Sequence, residues 1–251
     1  MVQMGGHPFA RRSVGPVFLG HFALALAAKK VAPKPSLGTL TLAAQLVDGV
    51  WPVFLLLGWE QVQIVPGITA VTPLLFVSYP YTHSLVAGAF WGALLGGGYY
   101  ALRRDRTGAL WLFALVLSHW ALDFASHRPD MPLWPGGPLV GLGLWYSIPA
   151  TLGVELGLFA LGVWMYTRAT RPRDRWGIVL FWLYVGVLAV LYLMSVFGPP
   201  PPSVRILAMS GLAGWLFVVW AYWVDRHRES PSGSPIERSA HRMDHPRYGA
   251  P

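Results

Sequence analysis

The chain has 251 residues, of which 54% are hydrophobic and only 12% charged, with 13 Trp and 10 Tyr. Soluble domains carry about 25% charged residues, so this composition excludes an ordinary soluble protein and points to a membrane protein with aromatic residues at its interfaces. The net charge of +8 lies mostly in short connections and at the termini, a pattern of membrane topology and not of nucleic-acid binding, and the absence of cysteine excludes disulfides and thiolate metal ligands.

Apolar segments run over 14–31, 37–58, 81–102, 108–126, 147–167, 176–197 and 204–224. Most approach the roughly 20 residues that cross a bilayer. They predict an all-α, polytopic fold of six or seven transmembrane helices over residues 1–225, followed by a polar tail at 226–251 that is expected to be disordered. The first segment is short. Arg11 and Arg12 before it and Ala25-Leu26-Ala27 inside it imitate a secretory signal. His21 within the run and Lys29-Lys30 directly after it argue instead for a retained first helix or a re-entrant one. Residues 59–80 and 127–146 form longer loops, and Pro199 to Pro202 is a stiff connection.

Basic residues alternate along these connections. Lys29, Lys30 and Lys34 follow the first segment, Arg103, Arg104 and Arg106 the third, Arg168, Arg171, Arg173 and Arg175 the fifth, and Arg226 and Arg228 the last. The intervening loops hold only Glu60, then Arg128 and Asp130, then Arg205. By the positive-inside rule the basic loops and the tail are cytoplasmic. Only Arg11 and Arg12 dissent, and a re-entrant first segment removes that conflict.

Five ionisable residues interrupt the apolar segments: His21, Asp48, His83, His119 and Asp123. A lone charge in hydrocarbon costs about 3 kcal/mol or more, so all five are expected to share one interior. Their positions, with Glu155, fall in the half of the bilayer opposite the basic loops. His119 and Asp123 form an i,i+4 pair on one helical face, and His127 and Asp130 extend the stripe. Three imidazoles and two carboxylates are a ligand set for borderline and hard metals. Other readings of the same residues stand beside it: a His–Asp bond joining two helices, a water pocket at Gln45 and Asp48, haem ligation by paired histidines, or a proton or metal-ion transporter. Thr82 and Ser84 read as helix caps.

Gly20-His21, Leu46-Val47-Asp48, Thr82-His83-Ser84-Leu85, Ser118-His119 with Asp123, and Leu133-Trp134-Pro135 occur in an order that resembles the YdjM-like family of bacterial inner-membrane metal-dependent hydrolases. The resemblance covers roughly residues 20–135. It departs where the family's His-Arg-Gly is Tyr79-Pro80-Tyr81, and where a second Asp after Asp48 is absent. It implies a bacterial inner-membrane location and a divalent metal, Zn²⁺ first and Mn²⁺ next, held by His21, Asp48, His83, His119 and Asp123. Beside such a metal, Glu155, His127 and Asp130 are the candidates for general base, and a lipid-like phosphoester is a natural substrate for a site at the interface.

Overall fold

The computed structural model describes residues 19–230. Arg11, Arg12, His241, His245 and the tail beyond Ser230 lie outside the described residues. In hydrocarbon every backbone N–H and C=O must be satisfied within the chain, which leaves helices as the form available to these apolar segments.

The first, α1 (Leu19–Ala28), has 10 residues. At 1.5 Å per residue it reaches about 15 Å, half of a hydrocarbon core of about 30 Å. Then come α2 (Leu37–Leu56), a single turn α3 (Pro80–His83), α4 (Leu85–Arg103), α5 (Arg106–Ser126), α6 (Ile148–Ala169) and α7 (Arg175–Phe197). The last apolar run, Val204–Arg226, is divided at Gly214 into α8 (Val204–Ala213) and α9 (Trp215–Arg226). Six of these runs are long and apolar enough to cross a membrane, and α1 is not among them. The expected all-α polytopic fold is therefore present, with six spans and a half-length helix among the described residues.

Local chemistry sets the helix starts. Ser36, Ser84, Ser147, Asp174 and Ser203 each accept a bond from the backbone N–H three residues on, as N-caps do. Small residues set the close crossings. Gly88, Gly92 and Gly96 form one stripe of α4 against α5, where a methyl at Gly96 would stand 2.7 Å from the Ala109 carbonyl. On α6, a methyl at Gly162 would overlap the backbone of Ala23, so α1 lies directly on α6. Large apolar side chains such as Trp164, Trp182, Leu102 and Leu216 point outward, as a lipid-facing surface requires.

The two ends of the bundle differ. At one, β1 (Gln61–Ile64) pairs antiparallel with β2 (Leu74–Ser78), and β3 (Met131–Pro132) with β4 (Leu139–Val140). At the other, the basic connections meet. Lys29 Nζ lies 3.3 Å from Asp225 Oδ1, and Lys34 Nζ lies 3.7 Å from Asp105 Oδ1. There too β5 (Arg171–Pro172) pairs with β6 (Arg228–Glu229). Arg228 is buried between Tyr166 and Phe181, donating to Thr170 Oγ1 at 3.0 Å and to the Gly177 carbonyl at 3.0 Å. This corrects the expectation of a tail disordered from 226: α9 ends at Arg226, and β6 follows it against the α6–α7 connection.

Candidate functional site

All five interrupting residues converge. Asp48 comes from the middle of α2, His83 from the end of α3, His119 and Asp123 from one face of α5, and His21 from the start of α1. Pro52 has no N–H to give the Asp48 carbonyl four residues before it, so the regular bonding of α2 is broken at this residue. Asp123 bridges the group: its Oδ1 lies 3.3 Å from His21 Nε2, and its Oδ2 3.2 Å from His119 Nε2 and 3.9 Å from His83 Nε2. Asp48 Oδ1 lies 3.3 Å from His83 Nε2 and 3.5 Å from His119 Nε2. The His21 and His119 rings stack in parallel, 3.6 Å apart.

Ligands around one ion at about 2.1 Å stand about 3.4 Å apart in a tetrahedron, so these separations match a shared cation. Two triads, His21–Asp48–His119 and His83–His119–Asp123, have ligand atoms within 4.8 Å of one another. The donor chemistry agrees. A carbonyl only accepts, so His119 Nδ1, 2.8 Å from the Ala44 carbonyl, carries the proton and donates it. In its neutral form the ring turns the Nε2 lone pair toward two carboxylates, and this buried atom completes no hydrogen bond. Acceptors facing acceptors call for a positive charge, supplied either by a proton on the imidazole or by a cation between them. Two carboxylates with neutral imidazoles leave a charge of −2, which one divalent cation cancels. The buried His/Asp group could therefore hold a metal ion.

The remaining candidates lie around this cluster. Glu155 is buried on α6, and its Oε2 accepts from Gly20 N at 2.8 Å. It thus caps the start of α1 and fixes the residue before His21. His127 and Asp130 form a second group next to the first. Asp130 Oδ1 lies 3.0 Å from His127 Nδ1 and accepts from the Tyr79 hydroxyl at 3.1 Å, while its Oδ2 accepts from Arg128 Nε at 2.9 Å. Burial and the neighbouring Asp130 push the Tyr79 phenol well above its ordinary pKa of 10.0, so it remains a donor. The Tyr79 ring, 5.3 Å from that of His83 and 6.0 Å from that of His127, joins the two groups.

Sequence reasoning missed two contributors. Ser84 is a cap as expected, but the Thr82 hydroxyl lies 2.7 Å from His83 Nδ1 and donates to Glu60 Oε2 at 2.7 Å. Glu60 is itself buried, and its only signal was being the single charge of its loop. Of the five, Asp48 is the most open: its side chain keeps 37% of its surface exposed while those of His21, His83, His119 and Asp123 are buried. Comparison with models of known families, with curated proteins and with solved structures gives no match to this chain.

Proposed function

We propose that this chain is a membrane-embedded, divalent-metal-dependent hydrolase, with Zn²⁺ as its first metal and Mn²⁺ as its alternative, acting on a lipid-like phosphoester at the bacterial inner membrane. The observation that supports it best is the bare His119 Nε2, held by the Ala44 carbonyl and aimed at Asp48 and Asp123. The resemblance to the YdjM-like family supports the same reading. A single site agrees with the absence of a second Asp after Asp48.

A bound divalent ion would polarise a phosphoryl oxygen and bring the pKa of its water toward 7. The chain's own residues do the rest. His21, His83, His119, Asp48 and Asp123 hold the ion, and Glu155 fixes His21 through Gly20. His127, oriented by Asp130 and Tyr79, is the general base the geometry favours, because Asp130 already has three close polar partners and Glu155 caps α1. Asp48 is the ligand that substrate meets first. Its place in the half of the bundle opposite the basic loops suits a substrate whose polar head lies toward that interface.

The test is metal analysis of protein purified without chelator, joined to turnover of short-chain phosphoesters. Wild type is expected to hold a stoichiometric divalent metal and to turn over substrate, and His119→Ala to lose both. Metal without turnover would favour a metal-ion transporter, and metal-free wild type would favour a structural cluster.

A further inference from the structure

Glu60 lies 22 residues from Thr82 in sequence, and the β1–β2 hairpin brings them together. Register places Gln61 opposite Ser78, so Glu60 reaches the start of α3. There its Oε1 accepts from Tyr81 N at 2.8 Å and Thr82 N at 2.9 Å, and its Oε2 takes the Thr82 hydroxyl at 2.7 Å. Glu60 is 1% exposed and Thr82 1%. A hydroxyl has one proton. With that proton given to Glu60, Thr82 can only accept from His83 Nδ1, 2.7 Å away. The proton of the neutral His83 ring is then fixed on Nδ1, and its Nε2 lone pair faces Asp48 and Asp123.

We propose that Glu60, through Thr82, is the positioning residue that fixes the tautomer of His83 and so makes it a metal ligand; this rests on the metal reading above. His119 achieves the same end with a backbone carbonyl, whereas His83 uses a buried carboxylate and a hydroxyl. Partners of this kind in other metal sites are worth 10–100-fold in metal affinity.

Glu60→Gln tests the direction of the relay. The amide is nearly isosteric but donates. It would give an N–H to Thr82 Oγ1, turn the hydroxyl proton toward His83 Nδ1 and move the ring proton to Nε2, where a metal must bind. Two measurements follow. In metal-free protein in bilayers, the ¹⁵N resonances of the His83 ring, assigned by comparison with His83→Gln, are expected to show Nδ1 protonated in wild type and unprotonated in Glu60→Gln. In competition with a chromophoric chelator, Zn²⁺ affinity is expected to fall 10–100-fold in Glu60→Gln. Thr82→Ser should keep wild-type affinity, and Thr82→Val should lose it. An unchanged His83 Nδ1 in Glu60→Gln overturns the inference, as does wild-type Zn²⁺ affinity in Glu60→Gln or Thr82→Val. Wild type that takes up no Zn²⁺ but shows the tautomer switch would retire the metal reading and leave the relay standing. Should Glu60→Gln fail to fold, the Thr82→Ser and Thr82→Val pair decides alone.

Discussion

Asp123 is the residue on which the cluster turns, because its two oxygens reach three imidazoles. Asp123→Asn keeps its shape but brings an N–H donor among lone pairs. Zn²⁺ affinity is expected to fall by at least 10–100-fold, the loss usual when only an outer partner is removed. Chelator competition on the purified variant checks this. If the cluster only joins helices, the same change should cost about 0.6 kcal/mol, the average for interhelical polar bonds in membranes, and leave no metal to lose. At this scale the sequence was informative where a polar group stood alone in apolar surroundings. His21, Asp48, His83, His119 and Asp123 were legible because burying each without partners is costly. Glu60 and Thr82 were not, since both sit at loop and cap positions where polar residues are ordinary. Their pairing depends on a hairpin register that neither residue reveals.

Among elements, α1 is the most exposed to change. It holds His21, touches α6 at Gly162, and is capped by Glu155. A methyl at Gly162 meets backbone at Ala23, which cannot rotate away. Gly162→Ala is therefore expected to push α1 off α6, weaken Zn²⁺ binding and lower thermal stability. Gly157→Ala on the same helix has open space and should do neither. Metal titration and melting of both variants separate the cases. The β5–β6 pairing offers a prediction with pH. Asp174, the N-cap of α7, accepts from His227 Nδ1 at 2.8 Å and from Gly177 N at 2.9 Å. The His227 bond, and after it the Gly177 amide, lowers the Asp174 carboxyl below its ordinary 3.8. A depressed carboxyl stabilises the folded state above that ordinary value, and the contribution fades as pH falls through the depressed one. Protection of the Arg173 and Gly177 amides from hydrogen exchange should hold at neutral pH and decline on strong acidification, and less steeply in His227→Gln. The helices themselves were legible to within a few residues. The break at Gly214 and the strands of two to five residues were not, because hydropathy averages over such short features.

For the whole molecule, charge asymmetry was the strongest sequence signal, and the structure gathers the basic loops at one end through Lys29–Asp225, Lys34–Asp105 and β5–β6. We propose that this end is cytoplasmic. Single cysteines placed at 104 or 173 of this cysteine-free chain should resist an impermeant thiol reagent in intact cells, and one at 136 should react. Labelling in the reverse sense would turn the site toward the cytoplasm. Among the described residues six runs are long enough to cross, and α1 as described is not one of them.

The partial exposure of Asp48 has a kinetic meaning. Four of the proposed ligands are walled in by helices, so an ion could be exchanged only past the fifth. Residence time would then be governed by how often one carboxylate swings aside, and not by the summed strength of all five bonds. A bulky chelator would strip such a site slowly whatever its affinity, while a small anion able to reach Asp48 would speed the exchange.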